Sequence, residues 1–392
     1  MDPSARLFAQ TDAFTGYTFD FAGQVNLPIL RRAFEVLVSN YPILRARLRT
    51  GHPRLELCHG DHEPQFLPVP YAPAATAHVG LDGTASLQRL FVRRGDLGTL
   101  VTLLVHATVA DFEGAAALTV ELWGLYNVLL GMRGERQRAE ERGGTRRHPA
   151  SIDGGRPTRR RRTRCTFTQD RLTRSATTRL RNLAAREGVS LASLVSAAAL
   201  HTELGMRQGS VRELPLLLSI PRPLGLTAPA GAGVEAGIRL ASFRAPRQLP
   251  PLIALARAIE AERAQGRFQR HGVSTVTLAA TSAAAKQSEI TTCVVGGQFP
   301  FDSWHPDLAI RGIYPEFSYT VSPDASGLCL SAALRNFYVA AIIEGELTIH
   351  RREMNSDSAT DVSYATDIAA RLRKSVADAP AEHEPHSPTA GA

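Results

Sequence analysis

The stretch Thr99–Gly131 constrains the fold more than any other part of the sequence. It reads TLVTLLVHATVADFEGAAALTVELWGLYNVLLG. Leu100–Val105 is a near-continuous run of valines and leucines, the pattern of a strand buried on both faces. Leu118, Leu122, Leu125 and Leu129 then recur at i, i+4, i+7 and i+11, one stripe of a helix. In the turn between them, His106 and Asp111 are the only ionisable residues before Glu113. A strand, a polar turn and a helix in succession present side chains at the mouth of an active site.

The rest of the chain supplies bounds. Its 392 residues are enough for two or three domains and a sizeable core. The apolar share of 44% and charged share of 21% place it with ordinary globular proteins. No run approaches 18 apolar residues, so no transmembrane segment is expected. The start, MDPSARLFAQTDAF, has no apolar h-region, which makes a cytoplasmic location the default. Cys58, Cys165, Cys293 and Cys329 are scattered and form no CxxC pair, and His52, His59 and His62 sit among turn residues. No metal is expected. The net charge of +8 is concentrated in Arg156–Arg164 (RPTRRRRTR). No aromatic residues are interleaved there to stack bases, so the run reads as a solvated linker and no nucleic-acid partner is expected. GxxxxGK[ST], HExxH and GxSxG are all missing from the sequence, which removes P-loop, zincin and nucleophile-elbow chemistry.

Taken in order, residues 1–16 read as a lead-in and Tyr17–Phe21 as a strand. Asn26 caps a helix over residues 27–40, with Leu27, Leu30, Phe34, Leu37 and Val38 on one face, and Pro42 stops it. Ile43–Leu48 alternates as a strand. Further strands are expected near Leu55–Cys58 and Leu87–Arg93. Met132–Arg164 lacks periodicity and reads as a mobile crossover. Beyond it come a short strand at Cys165–Phe167, a helix over Ser175–Glu187 closed by Gly188, and a helix over Leu191–Met206 capped by Ser190, with His201 at its core edge. Strands follow at Leu214–Ile220, Ile238–Phe243, Ile290–Gly297, Phe317–Ser322, Leu328–Leu334 and Glu346–His350. A helix is expected at Leu249–Phe268, a last one at residues 359–376, and a disordered tail after it.

The turn from His106 to Phe112 resembles the His-His-x-x-x-Asp-Gly signature of the CoA-dependent acyltransferase superfamily. That superfamily holds chloramphenicol acetyltransferase, condensation domains of nonribosomal peptide synthetases and polyketide-associated acyltransferases, the phthiocerol dimycocerosyl transferase kind among them. Two more segments carry the resemblance. LPILRRAFEVLVSNYPILRARLR, Leu27–Arg49, is similar to the opening of condensation-type acyltransferases. RLRNLAAREGVSLASLVSAAALHTEL is similar to the helix pair that opens their second lobe. The resemblance implies an α/β, two-lobed chloramphenicol acetyltransferase-like fold of mixed sheets with flanking helices. The lobes are expected over residues 1–132 and 164–376, the basic linker over 133–163 and the tail over 377–392.

The implied reaction is attack of an alcohol or amine on an acyl thioester, in a tunnel between the lobes. Acyl-CoA or an acyl carrier protein serves as substrate and no cofactor is needed. An acyl carrier protein or polyketide synthase is the implied partner, beside a small-molecule acceptor. Laid on this sequence, the motif gives His106 and Asp111, but the second His, the general base, is Ala107, and the Gly is Phe112. Losing a general base costs about 100- to 10,000-fold in rate. Three replacements for it are weighed: His106, Glu113, and a distant histidine such as His78 or His305, for which the sequence gives no support. His106 lies five positions from Asp111 and requires a rearranged turn. Glu113 requires burial to raise its pKa. Asp111 is expected either to pair with Arg222, the motif arginine after the Leu214–Ile220 strand, or to cap the following helix. The alternatives to acyl transfer are a degenerate member that binds a carrier protein or partner enzyme, and a tunnel turned to another reaction such as a cyclisation.

Overall fold

The computed structural model describes residues 8–48, 57–59, 64–69, 81–140, 162–164, 166–206, 215–220, 239–244, 249–264, 291–299, 308–320, 336–353 and 363–378. The strands are β1 (Phe14–Phe21), β2 (Ala46–Leu48), β3 (Leu57–His59), β4 (Phe66–Val69), β5 (Gln88–Gly95), β6 (Gly98–His106), β7 (Arg162–Arg164), β8 (Thr166–Leu172), β9 (Pro215–Ile220), β10 (Arg239–Arg244), β11 (Thr291–Phe299), β12 (Ile310–Thr320), β13 (Asn336–Ile343) and β14 (Glu346–Glu353). The helices are α1 (Leu27–Asn40), α2 (Phe112–Glu140), α3 (Arg174–Arg186), α4 (Leu191–Met206), α5 (Leu252–Ala264) and α6 (Ser363–Ala377).

The described strands form two six-stranded mixed sheets, ordered β4-β5-β6-β1-β12-β7 and β10-β9-β11-β13-β14-β8, and β2 pairs with β3. The strands do not sort by chain order. β12, from beyond the stretch read as a crossover, and β7, from its end, extend the first sheet, so that β1 runs antiparallel between β6 and β12. This is the mixed α/β architecture with flanking helices that the resemblance implies.

The start of α1 follows from its residues. Asn26 is extended and its side chain accepts the Ile29 N–H at 3.3 Å, while Pro28 sits in the first turn, where its missing N–H costs nothing. Ile29, Leu30, Ala33, Phe34, Leu37 and Val38 face inward. The helix stops before Pro42, as expected, but Pro42–Arg45 then forms one 3-10 turn, and only Ala46–Leu48 is strand. Proline pre-sets a turn at once after a helix end, and three remaining residues suffice for pairing with β3.

Three more expectations change. Residues 8–16 are not a lead-in: Phe8 and Ala13 are buried and β1 begins at Phe14. α2 does not stop near Gly131 but runs on to Glu140, and Arg162–Arg164 is a strand paired with Thr320–Ser318. Both cut into the stretch read as an aperiodic crossover. The strand expected at Leu328–Leu334 falls outside the described residues, and β13 lies just after it, where none was expected.

α2 explains how the sheets are joined. Its piece Phe112–Gly131 has the length and apolarity of a membrane span, contrary to the sequence expectation. In the fold that piece is a core helix: Phe112, Ala115, Ala116, Leu118, Leu122, Trp123 and Tyr126 are buried with β1 residues Tyr17, Phe19 and Phe21 and with α1. The same core takes Phe299 of β11 and Phe337, Val339 and Ala341 of β13, so one face of each sheet closes on α2. The other face of the second sheet packs on α3 to α6. The outer face of the first sheet carries a small cluster of Phe14, Leu81, Phe91 and Leu104.

Candidate active site

β6 ends in a tight turn. The His106 carbonyl accepts the N–H groups of Val109 and Ala110, and the Ala107 N–H reaches the Ala13 carbonyl at 2.8 Å. The turn is thereby tied to β1, and α2 starts six residues after His106.

His106 points away from the core between the sheets. Strand alternation puts it with Leu104 on the outer face, where its ring meets Phe14 edge-on at 4.9 Å. Nδ1 accepts the Thr108 N–H and lies 2.8 Å from Thr108 Oγ1, so the proton sits on Nε2. Nε2 is 3.6 Å from Asp12 Oδ1, and that same carboxylate oxygen accepts the Gly83 N–H at 2.7 Å. A side chain at position 83 would meet the His106 ring at 2.9 Å, so Gly83 is what lets this histidine lie flat under its loop. His106 is fully buried. Its surroundings are those of a packing residue.

Ala107 and Phe112 go the other way, into the shared core. The Phe112 ring lies 5.9 Å edge-on from Tyr17, 6.2 Å from Phe317 and 6.0 Å from Phe337. Tyr17 also meets Phe299 of the second sheet at 4.8 Å. Where the superfamily motif has glycine, this chain places an aromatic ring that bridges the two sheets.

Asp111 caps α2. Its Oδ1 accepts the Gly114 N–H at 2.7 Å and its carbonyl takes the Ala115 N–H. This is the second of the two roles expected for it; Arg222, the partner in the first, lies outside the described residues. Asp111 is 2% exposed, and its Oδ2 has no hydrogen-bond partner among the described residues. Burial, with a smaller push from Glu113, raises its pKa to about 7 despite the backbone N–H groups that favour the anion. Glu113 itself is exposed in the first turn of α2, so the burial required of it as a base is missing.

Two polar residues on the core faces escaped the sequence reading. Tyr17 is fully buried and its hydroxyl has no partner among the described residues. Burial, with the charges of Asp111 and Glu113 added, holds that hydroxyl protonated far above the usual tyrosine range. His350 pairs with Val339 and shares its face toward the core. Both its ring nitrogens lack partners among the described residues, and burial, with the Arg171 charge, pushes its pKa down to about 3. Neither had a sequence signal. Each is one polar residue in an apolar strand, and alternation does not tell which face meets the other sheet. His201, expected at a core edge, is half-buried with Nε2 3.0 Å from the Pro250 carbonyl.

No family model matches the sequence. The chain is 30% identical over 129 residues to a phthiocerol/phthiodiolone dimycocerosyl transferase of Mycobacterium ulcerans (strain Agy99), covering 31% of this chain and 30% of that protein. The relative of the same name from Mycobacterium sp. (strain JLS) is 31% identical over 127 residues, 32% of this chain and 30% of that protein. The match thus spans under a third of the length of these curated relatives. Among solved structures, polyketide synthase associated protein 5 from Mycobacterium tuberculosis superposes with a TM-score of 0.64 and 22% identity, covering 95% of this chain and 96% of that one. The condensation domain of the Monacolin K polyketide synthase MokA gives 0.54 with 13% identity, covering 96% of both chains. The EpoB cyclization-docking bidomain from Sorangium cellulosum gives 0.56 with 12% identity, over 94% of this chain and 80% of that one. The chain therefore has the two-sheet fold of polyketide synthase associated protein 5 and of these condensation and cyclization domains.

Proposed function

We propose that this chain is a condensation-type acyltransferase of lipid, polyketide or other secondary metabolism. It takes an acyl group from a CoA or carrier-protein thioester and passes it to an alcohol or amine. One placement carries the reading: β6 delivers the turn with Ala107 and Asp111 to the core faces where the sheets meet, in a fold shared with polyketide synthase associated protein 5 over nearly the whole chain. The partner is an acyl carrier protein or polyketide synthase, and the compartment is the cytoplasm, where such thioesters are made.

The test is to incubate the full chain with a panel of acyl-CoA and acyl-carrier thioesters and follow free thiol, with and without alcohol and amine acceptors. Acceptor-dependent thiol release supports transfer. Donor binding with no release supports a second reading, in which the protein holds a carrier or partner enzyme without turning over. The methyl group of Ala107 at the base position and the Phe112 ring favour that second reading.

A further inference from the structure

Unpartnered polar atoms collect on the core face of the first sheet, beside the turn. Besides Tyr17 Oη and Asp111 Oδ2, Thr15 Oγ1 and Gln88 Oε1 have no hydrogen-bond partner among the described residues. Thr15 shares the Tyr17 face of β1, and both Thr15 and Gln88 pair with Val105 of β6, a core residue. Such atoms are scarce in folded proteins, and each is costly when left unpaired. Three of them on one sheet face, with Asp111 in the turn that follows β6, make a polar set free to hydrogen-bond something else.

Asp111 and Tyr17 are its reactive members. They are close enough for the carboxylate charge to act on the phenol, yet they do not hydrogen-bond to each other. One offers a free acceptor and the other a donor. Asp111 is held by its Oδ1 bond to Gly114, which fixes Oδ2.

We propose that Asp111 is the general base of acyl transfer in this protein, acting through Oδ2, with the Tyr17 hydroxyl donating to the thioester carbonyl oxygen; this rests on the acyl-transfer reading above. Oδ2 takes the proton of the acceptor hydroxyl or amine as its oxygen or nitrogen bonds to the thioester carbon. The tetrahedral adduct collapses by breaking the carbon–sulfur bond. The proton on Asp111 then passes to the departing sulfur, which leaves as free thiol. A carboxylate that titrates near neutrality is matched to this work. β1 brings Tyr17 to its side, with Asp20 on the opposite face, and β12 brings Tyr319 and β14 His350 to the shared core. β6 brings His106, on the opposite face. α1 brings Arg31, Arg32 and Glu35 on its outer side, β11 has only Cys293, and α2 itself adds Glu113.

The test uses the full chain with the thioester panel, reading thiol release from pH 5 to 9. Wild type should gain rate with pH and level off above about 7. Asp111→Asn keeps a helix cap, and should lower kcat about 100-fold or more, move KM little and lose the rising limb. Glu113→Gln removes the neighbouring charge that raises the Asp111 pKa, so its limb should shift to lower pH. Wild-type turnover with Asp111→Asn unchanged overturns the proposal and leaves the acyl-transfer reading standing. A wild type with no turnover on any donor fails that reading, and the proposal with it. If Asp111→Asn does not fold, Glu113→Gln decides. A limb shifted down supports Asp111. A limb in place, or lost, overturns it, and loss assigns the base to Glu113.

Discussion

His106 and Ala107 are consecutive residues whose side chains leave the chain on opposite faces of the first sheet: the imidazole packs against Phe14 on the outside, and the methyl group lies in the core shared with the second sheet. The motif's two positions therefore do different work, and a base lost from position 107 is not replaced by the histidine beside it.

His106→Ala should act on stability. It removes a fully buried ring, its bond to Thr108 and its contact with Phe14, at a cost of about 2–4 kcal/mol. Thermal or denaturant unfolding measures this. Thiol release per folded molecule should stay within a few-fold of wild type, and its disappearance in a folded His106→Ala protein would return the base to His106.

Asp111 makes stability depend on pH. Its folded pKa, about 7, lies above its unfolded value, so the folded state binds the extra proton between about pH 4 and 7. Stability from this group is full below the unfolded pKa and is lost as pH rises through the folded one. Asp111→Asn removes the titration. Melting curves from pH 4.5 to 8 should show wild type losing ground to Asp111→Asn as pH rises, by on the order of a few kcal/mol. Parallel curves would place the Asp111 carboxylate in water.

Phe112→Ala should open the core and weaken it. The ring is fully buried against Tyr17, Phe317 and Phe337, so the loss is about 3–5 kcal/mol. If the ring occupies acyl space, the folded variant should bind long-chain acyl thioesters more tightly than wild type, as read by calorimetry. Unchanged affinity would mean the acyl chain lies elsewhere.

The centre of the fold was legible for physical reasons. Leu100–Val105 shows both faces of β6 buried, and Asn26 with Pro28 fixes the start of α1. Ser190 caps α4 through the Ser193 N–H, and Gly188 takes the positive φ that ends the preceding turn. Other parts carried no such mark. The end of α2 is rich in Arg and Glu, so no apolar stripe announces it. In β13, NFYVAAII, both faces are buried, Val339 against one core and Ala340 against the other, so no alternation survives. Pro42 turns the chain where ILRARL alternates as if extended. For the site, the motif located Ala107, Asp111 and Phe112. Tyr17 and His350 needed the sheets themselves, because only packing decides which face of a strand meets the other sheet.

The core face at position 107 is proposed to handle the acyl acceptor, and Ala107→His probes that role. The measurement is acceptor-dependent thiol release by the folded variant, checked by its melting curve and donor binding, against wild type on the same donors. A gain of about 100-fold or more is expected, because an imidazole then stands where the superfamily motif has its base. A folded, donor-binding Ala107→His protein with no gain over wild type would contradict it and put the acyl acceptor away from position 107.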